Sequence, residues 1–140
     1  MIKKSGSAKW TGDLKEGKGE VSTQSGALKS QPYGFNTRFE DKPGTNPEEL
    51  IAAAHASCFS MAFANMLAGA EISGVEIETK AVIVMDKSAA GFSILKSELT
   101  CTVKADADAA DIEEVAHAAK EGCPVSQLLD CEITLDLTVA

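Results

Sequence analysis

The chain has few aromatic residues and almost no arginine. Aromatics make up 5% of its 140 residues, and Arg38 is the one arginine among 13 basic residues. With so few large rings, the core must be built from small residues that let elements approach closely. The formal net charge is −8. This charge argues against nucleic acid and against an anionic membrane surface as partners, because both bind through clusters of Lys and Arg.

A second absence is charge between residues 50 and 70. An uncharged run of this length matches a membrane span. Alanine dominates it, however, polar side chains such as His55 and Asn65 interrupt it, and acidic rather than basic residues precede it. We therefore interpret the run as a helix buried on all sides in a water-soluble core.

The chain also has no apolar segment at its N-terminus, no glycine-rich phosphate loop and no Gly-x-Ser-x-Gly elbow. We expect no signal peptide and hence a cytoplasmic protein, in which thiols stay reduced. The length predicts one domain, residues 1–140. Its cysteines should then be free thiols, with at most one catalytic pair among Cys58, Cys101, Cys123 and Cys131.

The N-terminal half predicts strands and then one long helix. Residues 6–40 are rich in Gly, Ser and Thr, and short alternating pieces, 33–35 among them, predict an antiparallel meander. Asn46 is a good N-cap and Pro47 suits a first helical position, so a helix should run from there to about Leu67, with Gly69 near its end.

The C-terminal half predicts strands at 77–85 and 92–104, a helix at 108–121 with Gly122 as its C′ residue, a short helix at 125–129 and a last strand. The second strand should present one apolar face, formed by Leu95, Leu99, Cys101 and Val103. The last strand should do the same with Ile133, Leu135, Leu137 and Val139. The order of elements indicates an α+β fold.

The long helix also predicts an assembly. It is apolar nearly all round, whereas the helix at 108–121 has a single apolar stripe. One sheet cannot cover the whole long helix. A second copy of the same helix is the simplest cover, which implies an intimate homodimer.

Two cysteines are candidates for chemistry. Cys58 lies deep in the long helix, where His55, Ser57 and Ser60 make its surroundings partly polar. A free cysteine is most often a small buried hydrophobe, and that interpretation stays open for Cys58. Cys123 stands just before a proline-started helix, whose unpaired backbone N–H groups favour a thiolate. Cys101 and Cys131 lie in strand patterns and are expected to be inert core thiols.

Arg38 is a candidate because lysine serves as the cation everywhere else in the chain. A lone arginine suggests a site that needs a planar, always charged group with several donors, although surface arginines are common. Beside a thiol it would lower the thiol pKa. Glu48 or Glu49 would orient it, or both simply cap the helix. Glu48 is ten residues before Cys58, about 15 Å along an ideal helix, so a partner chain would help to bring these groups together.

A metal site is the competing interpretation. His55 and Cys58 share a helical face, and His117 and Cys123 flank a helix end. Two Cys and two His suit zinc, but the spacing matches no strong zinc signature. The alternative to an enzyme is therefore a non-catalytic thiol or zinc-binding protein.

Four segments carry a family resemblance: QPYGFNTRFE (31–40), GTNPEEL (44–50), ASCFSM (56–61) and GCPVSQ (122–127). They occur in this order along the chain and together are highly specific. They closely resemble the OsmC branch of the OsmC/Ohr peroxidase family.

The resemblance implies a homodimer with two central helices back to back, wrapped by antiparallel sheets from both chains. It implies reduction of organic hydroperoxides, and more weakly of hydrogen peroxide, with an external dithiol as reductant and no metal, flavin or haem. Carried over, Cys58 is the peroxidatic cysteine, Cys123 the resolving one, Arg38 the activating arginine and Glu48 its partner. Disulfides involving Cys101 or Cys131 stay open.

Overall fold

The computed structural model describes residues 1–140 and divides them into two compact units, residues 1–50 and 51–140. Each contains a three-stranded sheet, and helices accompany both, so the α+β class is confirmed. The prediction of a single domain remains a prediction.

The N-terminal unit contains the predicted meander. Strands β1 (Gly6–Thr11), β2 (Lys18–Thr23) and β3 (Gln31–Tyr33) pair antiparallel in that order. The chain then forms a short helix, α1 (Phe35–Phe39), where the sequence predicted a continuing strand pattern. That prediction was wrong because Thr37 caps the segment. The N–H of Gly34 donates to Thr37 Oγ1 at 2.8 Å, and the same hydroxyl donates to the Gly34 carbonyl at 3.0 Å.

The long helix, α2, runs from Pro47 to Gly69 and begins as predicted. Asn46 Oδ1 accepts a hydrogen bond from the Glu49 N–H at 2.8 Å, which satisfies one of the unpaired donors of the first turn. The helix ends two residues beyond the predicted Leu67. The N–H of Ile72 then donates to the Leu67 carbonyl at 2.9 Å, which closes the helix end.

Only one face of α2 is buried in the chain, the face formed by His55, Phe59, Phe63 and Leu67. The opposite stripe is exposed and consists of Ala54, Ser57, Met61, Asn65 and Ala68. Within one chain α2 is therefore buried on one side only, because one sheet and one helix cover only that side; burial on all sides requires a second copy and stays a prediction. By length and composition α2 would also be long enough to cross a membrane, a property it shares with core helices.

The C-terminal unit holds a mixed sheet. Strands β4 (Glu76–Ser88) and β5 (Gly91–Lys104) form an antiparallel hairpin, and β6 (Glu132–Val139) pairs with β5 in parallel. The expectation of a purely antiparallel sheet is corrected here. The chain passes through two helices between β5 and β6, and such a crossover allows a parallel pairing.

A bulge in this sheet changes the predicted apolar face of β5. Val84 pairs with Lys96 and Met85 with Ile94, so Leu95 is left without a partner opposite it. Leu95 is consequently half exposed, and the prediction that it faces the core was wrong. Beyond the bulge the alternation is as predicted, but Ser97 takes the first inward position.

Two helices, α3 (Ala109–Gly122) and α4 (Pro124–Leu128), connect β5 to β6. Gly122 is the last residue of α3 and lacks the positive φ of a C′ glycine, so that assignment was wrong. A Cβ at Gly122 would lie 2.9 Å from Met66 Cε, so the glycine allows α3 to approach α2 closely.

The core of the chain lies entirely in the C-terminal unit. Its fully buried apolar residues come from α2, β5, α3 and the α3–α4 junction, namely Phe59, Phe63, Leu67, Leu99, Cys101, Val103, Ile112, Ala116, Ala119 and Cys123. The apolar residues of β6 pack against this cluster but remain partly exposed, so their predicted inward orientation is found without full burial.

Candidate active site

The structure brings the two predicted redox thiols together. Cys58 lies on α2 and is half buried, while Cys123 joins α3 to α4 and is fully buried. Cys58 packs against the core cluster that contains Cys123, and Cys123 acts on the pKa of Cys58; both cysteines are free thiols. Two residues that are 65 positions apart in sequence therefore form one local site.

The environment of Cys58 acts on its pKa in both directions. Burial raises the pKa most, the backbone N–H of Val125 lowers it, and Cys123 raises it through a hydrogen bond and through charge repulsion. The sequence predicted that the start of α4 would act on Cys123. The Cys123 side chain makes no capping bond to α4. The backbone N–H of Val125, in the first turn of α4, instead lowers the pKa of Cys58.

A groove of about 540 Å³ opens onto Cys58. Its lining is largely apolar and includes Met61, Ala62, Met66 and Pro124. A small molecule can thus reach half-buried Cys58 along a largely apolar surface.

One buried polar group lies next to these thiols and was not assigned this role by the sequence. His55 Nδ1 is 2.6 Å from Ser97 Oγ, and His55 Nε2 is 2.8 Å from Ser126 Oγ. All three residues are buried, and burial lowers the pKa of His55. The neutral ring then donates to one serine and accepts from the other. A serine at an inward position of a strand whose other inward residues are apolar, as at Ser97, was the available sequence signal.

The zinc alternative lacks its ligands. Both ring nitrogens of His55 are engaged by serines, and His117 is exposed with its Nε2 3.9 Å from Glu113 Oε1. Across the chain, no group of three or more His, Cys, Asp or Glu side chains is placed to hold a metal ion.

The other two cysteines differ from one another. Cys101 is a buried core residue, as predicted, and burial raises its pKa. Cys131 is only half buried and precedes β6, so its assignment as a core strand residue was wrong. Burial, together with the charge of Asp130, raises the pKa of Cys131.

Arg38 and Glu48 form a two-pronged ion pair in the N-terminal unit. Arg38 Nε lies 3.0 and 3.1 Å from the two Glu48 oxygens, and Arg38 Nη2 lies 2.5 Å from Glu48 Oε1. Glu48 is thus a partner of Arg38, while the backbone N–H of Glu49 donates to the Asn46 side chain. The guanidinium also stacks over the Phe39 ring, 5.2 Å from its centroid. These contacts fix the orientation of the guanidinium.

An apolar cavity of about 170 Å³ adjoins Arg38 within the same unit. Rings of Trp10, Tyr33, Phe35 and Phe39 contribute to its lining. The chain therefore places several of its few aromatic residues beside its one arginine.

Comparison with known proteins identifies relatives over nearly the whole chain. Residues 39–138 match the family model described as OsmC-like protein. The chain is 55% identical to the peroxiredoxin OsmC of Escherichia coli (strain K12) over 136 residues, 96% of this chain and 95% of that protein. It is 33% identical over 110 residues to the organic hydroperoxide resistance protein OhrB of Bacillus subtilis (strain 168), 78% of this chain and 79% of that protein.

Solved structures agree in fold. The crystal structure of OhrB of Bacillus subtilis has a TM-score of 0.71 at 24% identity, covering 96% of this chain and 98% of that chain. An OsmC-like protein of unknown function from Vibrio cholerae has a TM-score of 0.76 at 18% identity, covering 99% of this chain and all of that chain. On its family match and its sequence identities, the chain belongs to the OsmC-like protein family.

Proposed function

We propose that the chain is a cysteine-based peroxidase that reduces organic hydroperoxides, and hydrogen peroxide more weakly. The observation that carries this proposal is the pairing of Cys58 with Cys123 beside an accessible groove. The relatives are named peroxiredoxin and organic hydroperoxide resistance protein, which supports a role in peroxide removal.

The chemistry proceeds in two balanced steps. The Cys58 thiolate attacks the outer peroxide oxygen, the O–O bond breaks, and the departing alkoxide takes a proton to leave as an alcohol. Cys58 is then a sulfenic acid. Cys123 attacks that sulfur, the S–O bond breaks, and water leaves as the Cys58–Cys123 disulfide forms. An external dithiol reduces the disulfide by thiol exchange and restores both cysteines.

Arg38 is proposed to activate this attack, with Glu48 as its orienting partner. A guanidinium keeps its charge at any physiological pH and donates along two parallel bonds, so it suits both a thiolate and a developing alkoxide. The ion pair with Glu48 and the stacking on Phe39 hold the guanidinium in one orientation before substrate arrives. The apolar cavity next to Arg38 would accommodate the carbon part of an organic hydroperoxide.

The active form is proposed to be a homodimer in the reducing cytoplasm. The exposed stripe of α2 is composed of small or apolar residues with one asparagine, and such a stripe permits close approach of a second helix. Three residues of the stripe, Ser57, Met61 and Asn65, also line the groove at Cys58. A second copy of α2 would cover the stripe, complete the core that one chain leaves open and form one wall of that groove.

Oxidation with one equivalent of cumene hydroperoxide tests the chemistry. Intact mass should fall by two hydrogens, and peptide mapping should locate the bridge between Cys58 and Cys123. Cys58→Ser should abolish turnover. Cys123→Ser should reduce a single equivalent of peroxide and leave Cys58 as a sulfenic acid, which a second equivalent of peroxide oxidises to sulfinic acid.

Cys131→Ser is the matched control, because Cys131 is also half buried but is not paired with Cys123. It should retain turnover. A bridge mapped to Cys131, or unchanged turnover in Cys58→Ser, would overturn the assignment. No oxidation of any thiol by peroxide would leave the non-catalytic thiol protein as the better interpretation.

A further inference from the structure

His55 connects the helix that carries Cys58 to two other elements. Its Nε2 is bonded to Ser126 of α4 and its Nδ1 to Ser97 of β5. The other fully buried residues on this face of α2 are Phe59, Phe63 and Leu67, all apolar. His55 is therefore the single fully buried polar side chain on this face, and its two hydrogen bonds link α2 to α4 and to β5.

The bond to Ser126 lies close to the two thiols. His55 is three residues before Cys58 on α2, and Ser126 is three residues after Cys123. Val125 lies between Cys123 and Ser126 in the sequence, and its backbone N–H lowers the pKa of Cys58. The bond from Nε2 to Ser126 Oγ thus fixes the spacing between the two segments that carry the thiols.

We propose that His55 is a positioning residue that, through Ser126, holds α4 and Cys123 in register with Cys58. This inference rests on the proposed function, in which Cys123 resolves the oxidised Cys58. A neutral imidazole suits this positioning role because its ring is rigid and both of its nitrogens form hydrogen bonds at once. His55 thus links α4 to α2 and to the sheet.

The tie has a chemical consequence. The sulfenic acid on Cys58 either condenses with Cys123, releasing water, or reacts with a second peroxide to give sulfinic acid and a second alcohol. Reaction rates between held groups fall steeply when the groups are displaced by even 1 Å. Loosening α4 should therefore favour the second route over the first.

The test compares two serine-to-alanine variants. Ser126→Ala removes the hydroxyl that ties α2 to α4. Ser60→Ala is the matched control, because Ser60 Oγ ties the same helix to β4 through Thr79 Oγ1 at 2.7 Å. Ser126→Thr keeps a hydroxyl and should restore the wild-type behaviour. His55→Gln extends the series, and the serine variants suffice if that protein does not fold.

Two measurements are made on each variant. The first needs no peroxide: the pH dependence of Cys58 alkylation by iodoacetamide, located by peptide mapping. Its midpoint should rise in Ser126→Ala, because the Val125 N–H no longer stabilises the thiolate. The second is the ratio of sulfinic acid to disulfide after excess cumene hydroperoxide, which should increase on the order of tenfold in Ser126→Ala.

The outcomes separate the two proposals. If Ser126→Ala matches Ser60→Ala in both measurements, the positioning role is overturned. If the alkylation midpoint shifts but the wild-type protein forms no Cys58–Cys123 disulfide, the positioning of the thiol is supported and the proposed function is overturned. If Ser126→Thr behaves like Ser126→Ala, the hydroxyl is not the cause and the inference fails.

Discussion

The two units of the chain differ sharply in what they bury. Every fully buried apolar side chain belongs to residues 51–140, and the only buried residues in 1–50 are Gly19 and Gly34. The C-terminal unit keeps Cys101, Cys123 and His55 in a packed core, and its other two thiols are half buried. The N-terminal unit presents its ion pair near the surface, where the side chain of Arg38 is 36% exposed.

This contrast indicates where each kind of group functions best. A guanidinium loses much of its hydration when it is buried, so a partly exposed, ion-paired site preserves its charge at little cost. A thiol and a neutral imidazole tolerate burial, and a dry setting strengthens each hydrogen bond they make. The same contrast implies that the N-terminal sheet is marginal by itself, because three short strands need a buried apolar face to be stable.

The largest expected effect is on assembly. Met61 is 76% exposed on the open stripe of α2. In a dimer that buries this stripe, Met61→Glu would place a charge in an apolar interface and should weaken association by at least about a hundredfold. Sedimentation at low micromolar concentration measures this, and wild-type unfolding should depend on protein concentration.

Leu128→Glu is the control for this experiment. Leu128 is exposed to a similar degree, 79%, but belongs to α4 and not to the stripe on α2. It should leave association unchanged. Equal effects of the two variants, or a stable wild-type monomer of 14.6 kDa, would contradict the dimer.

The next largest effect concerns the ion pair. Arg38→Lys keeps the charge but loses the two-pronged geometry, so peroxide-dependent oxidation of Cys58 should slow by about tenfold or more. Glu48→Gln should also slow it, because an amide holds the guanidinium less firmly than a carboxylate. Stopped-flow rates with cumene hydroperoxide provide the measurement.

The neighbouring Glu49 offers a close control for the ion pair. Both glutamates lie in the first turn of α2; the Glu48 carboxylate bonds Arg38, and the Glu49 N–H bonds Asn46. Glu49→Gln should therefore leave the rate nearly unchanged. If Glu48→Gln and Glu49→Gln have the same effect, the helix end and not the ion pair is responsible.

The sequence predicted the elements of both units well, and most errors concern how the elements meet. The Asn46 cap and the alternation of β5 beyond Leu95 are local signals, and the structure confirms both. The bulge at Leu95 and the parallel pairing of β6 depend on neighbouring strands that no local pattern specifies. Gly122 was assigned to a cap, although its role is set by contact with Met66 on another helix.

For the site, residue types were predictable and their contacts were not. The singularity of Arg38 and the helix-start position of Cys123 were visible in the sequence. A backbone N–H of α4 lowers the pKa of Cys58 and makes no capping bond to the Cys123 side chain. This arrangement depends on how α2 and α4 pack together, which no local sequence pattern specifies. The bonds between His55 and two serines are invisible for the same reason.

Substitutions at Gly19 and Gly122 allow the tightness of packing in the two units to be compared directly. A Cβ at Gly19 would lie 2.5 Å from Tyr33 Cε1 and 2.7 Å from Trp10 Cε3, between two rings. Gly19→Ala should destabilise the protein by about 1–3 kcal/mol, because rings held on strands cannot move aside easily. Gly122→Ala meets only the flexible end of Met66 and should change stability by less than about 1 kcal/mol. Urea unfolding of both variants measures the difference, and equal losses would show that the N-terminal unit tolerates overpacking as well as the core does.

The smallest expected effect is the acid dependence of stability. Burial lowers the pKa of His55 below its ordinary value of 6.5 in the folded chain. Below about pH 6.5 the unfolded chain therefore binds more protons than the folded one. Burial of the neutral ring consequently costs no stability above that pH, and the free energy of unfolding decreases as the pH falls below it. The slope from one such group reaches at most about 1.4 kcal/mol per pH unit.

Replacing each of the two histidines in turn isolates that slope. His55→Gln lowers stability overall but should flatten its decline between about pH 6.5 and pH 5, because no proton is then taken up at this position on unfolding. His117 is exposed, and His117→Gln should preserve the wild-type decline. Urea midpoints measured across this range provide the comparison. An unchanged slope in His55→Gln would mean that the ring takes up its proton as readily in the folded chain as in the unfolded one, which contradicts a pKa lowered by burial.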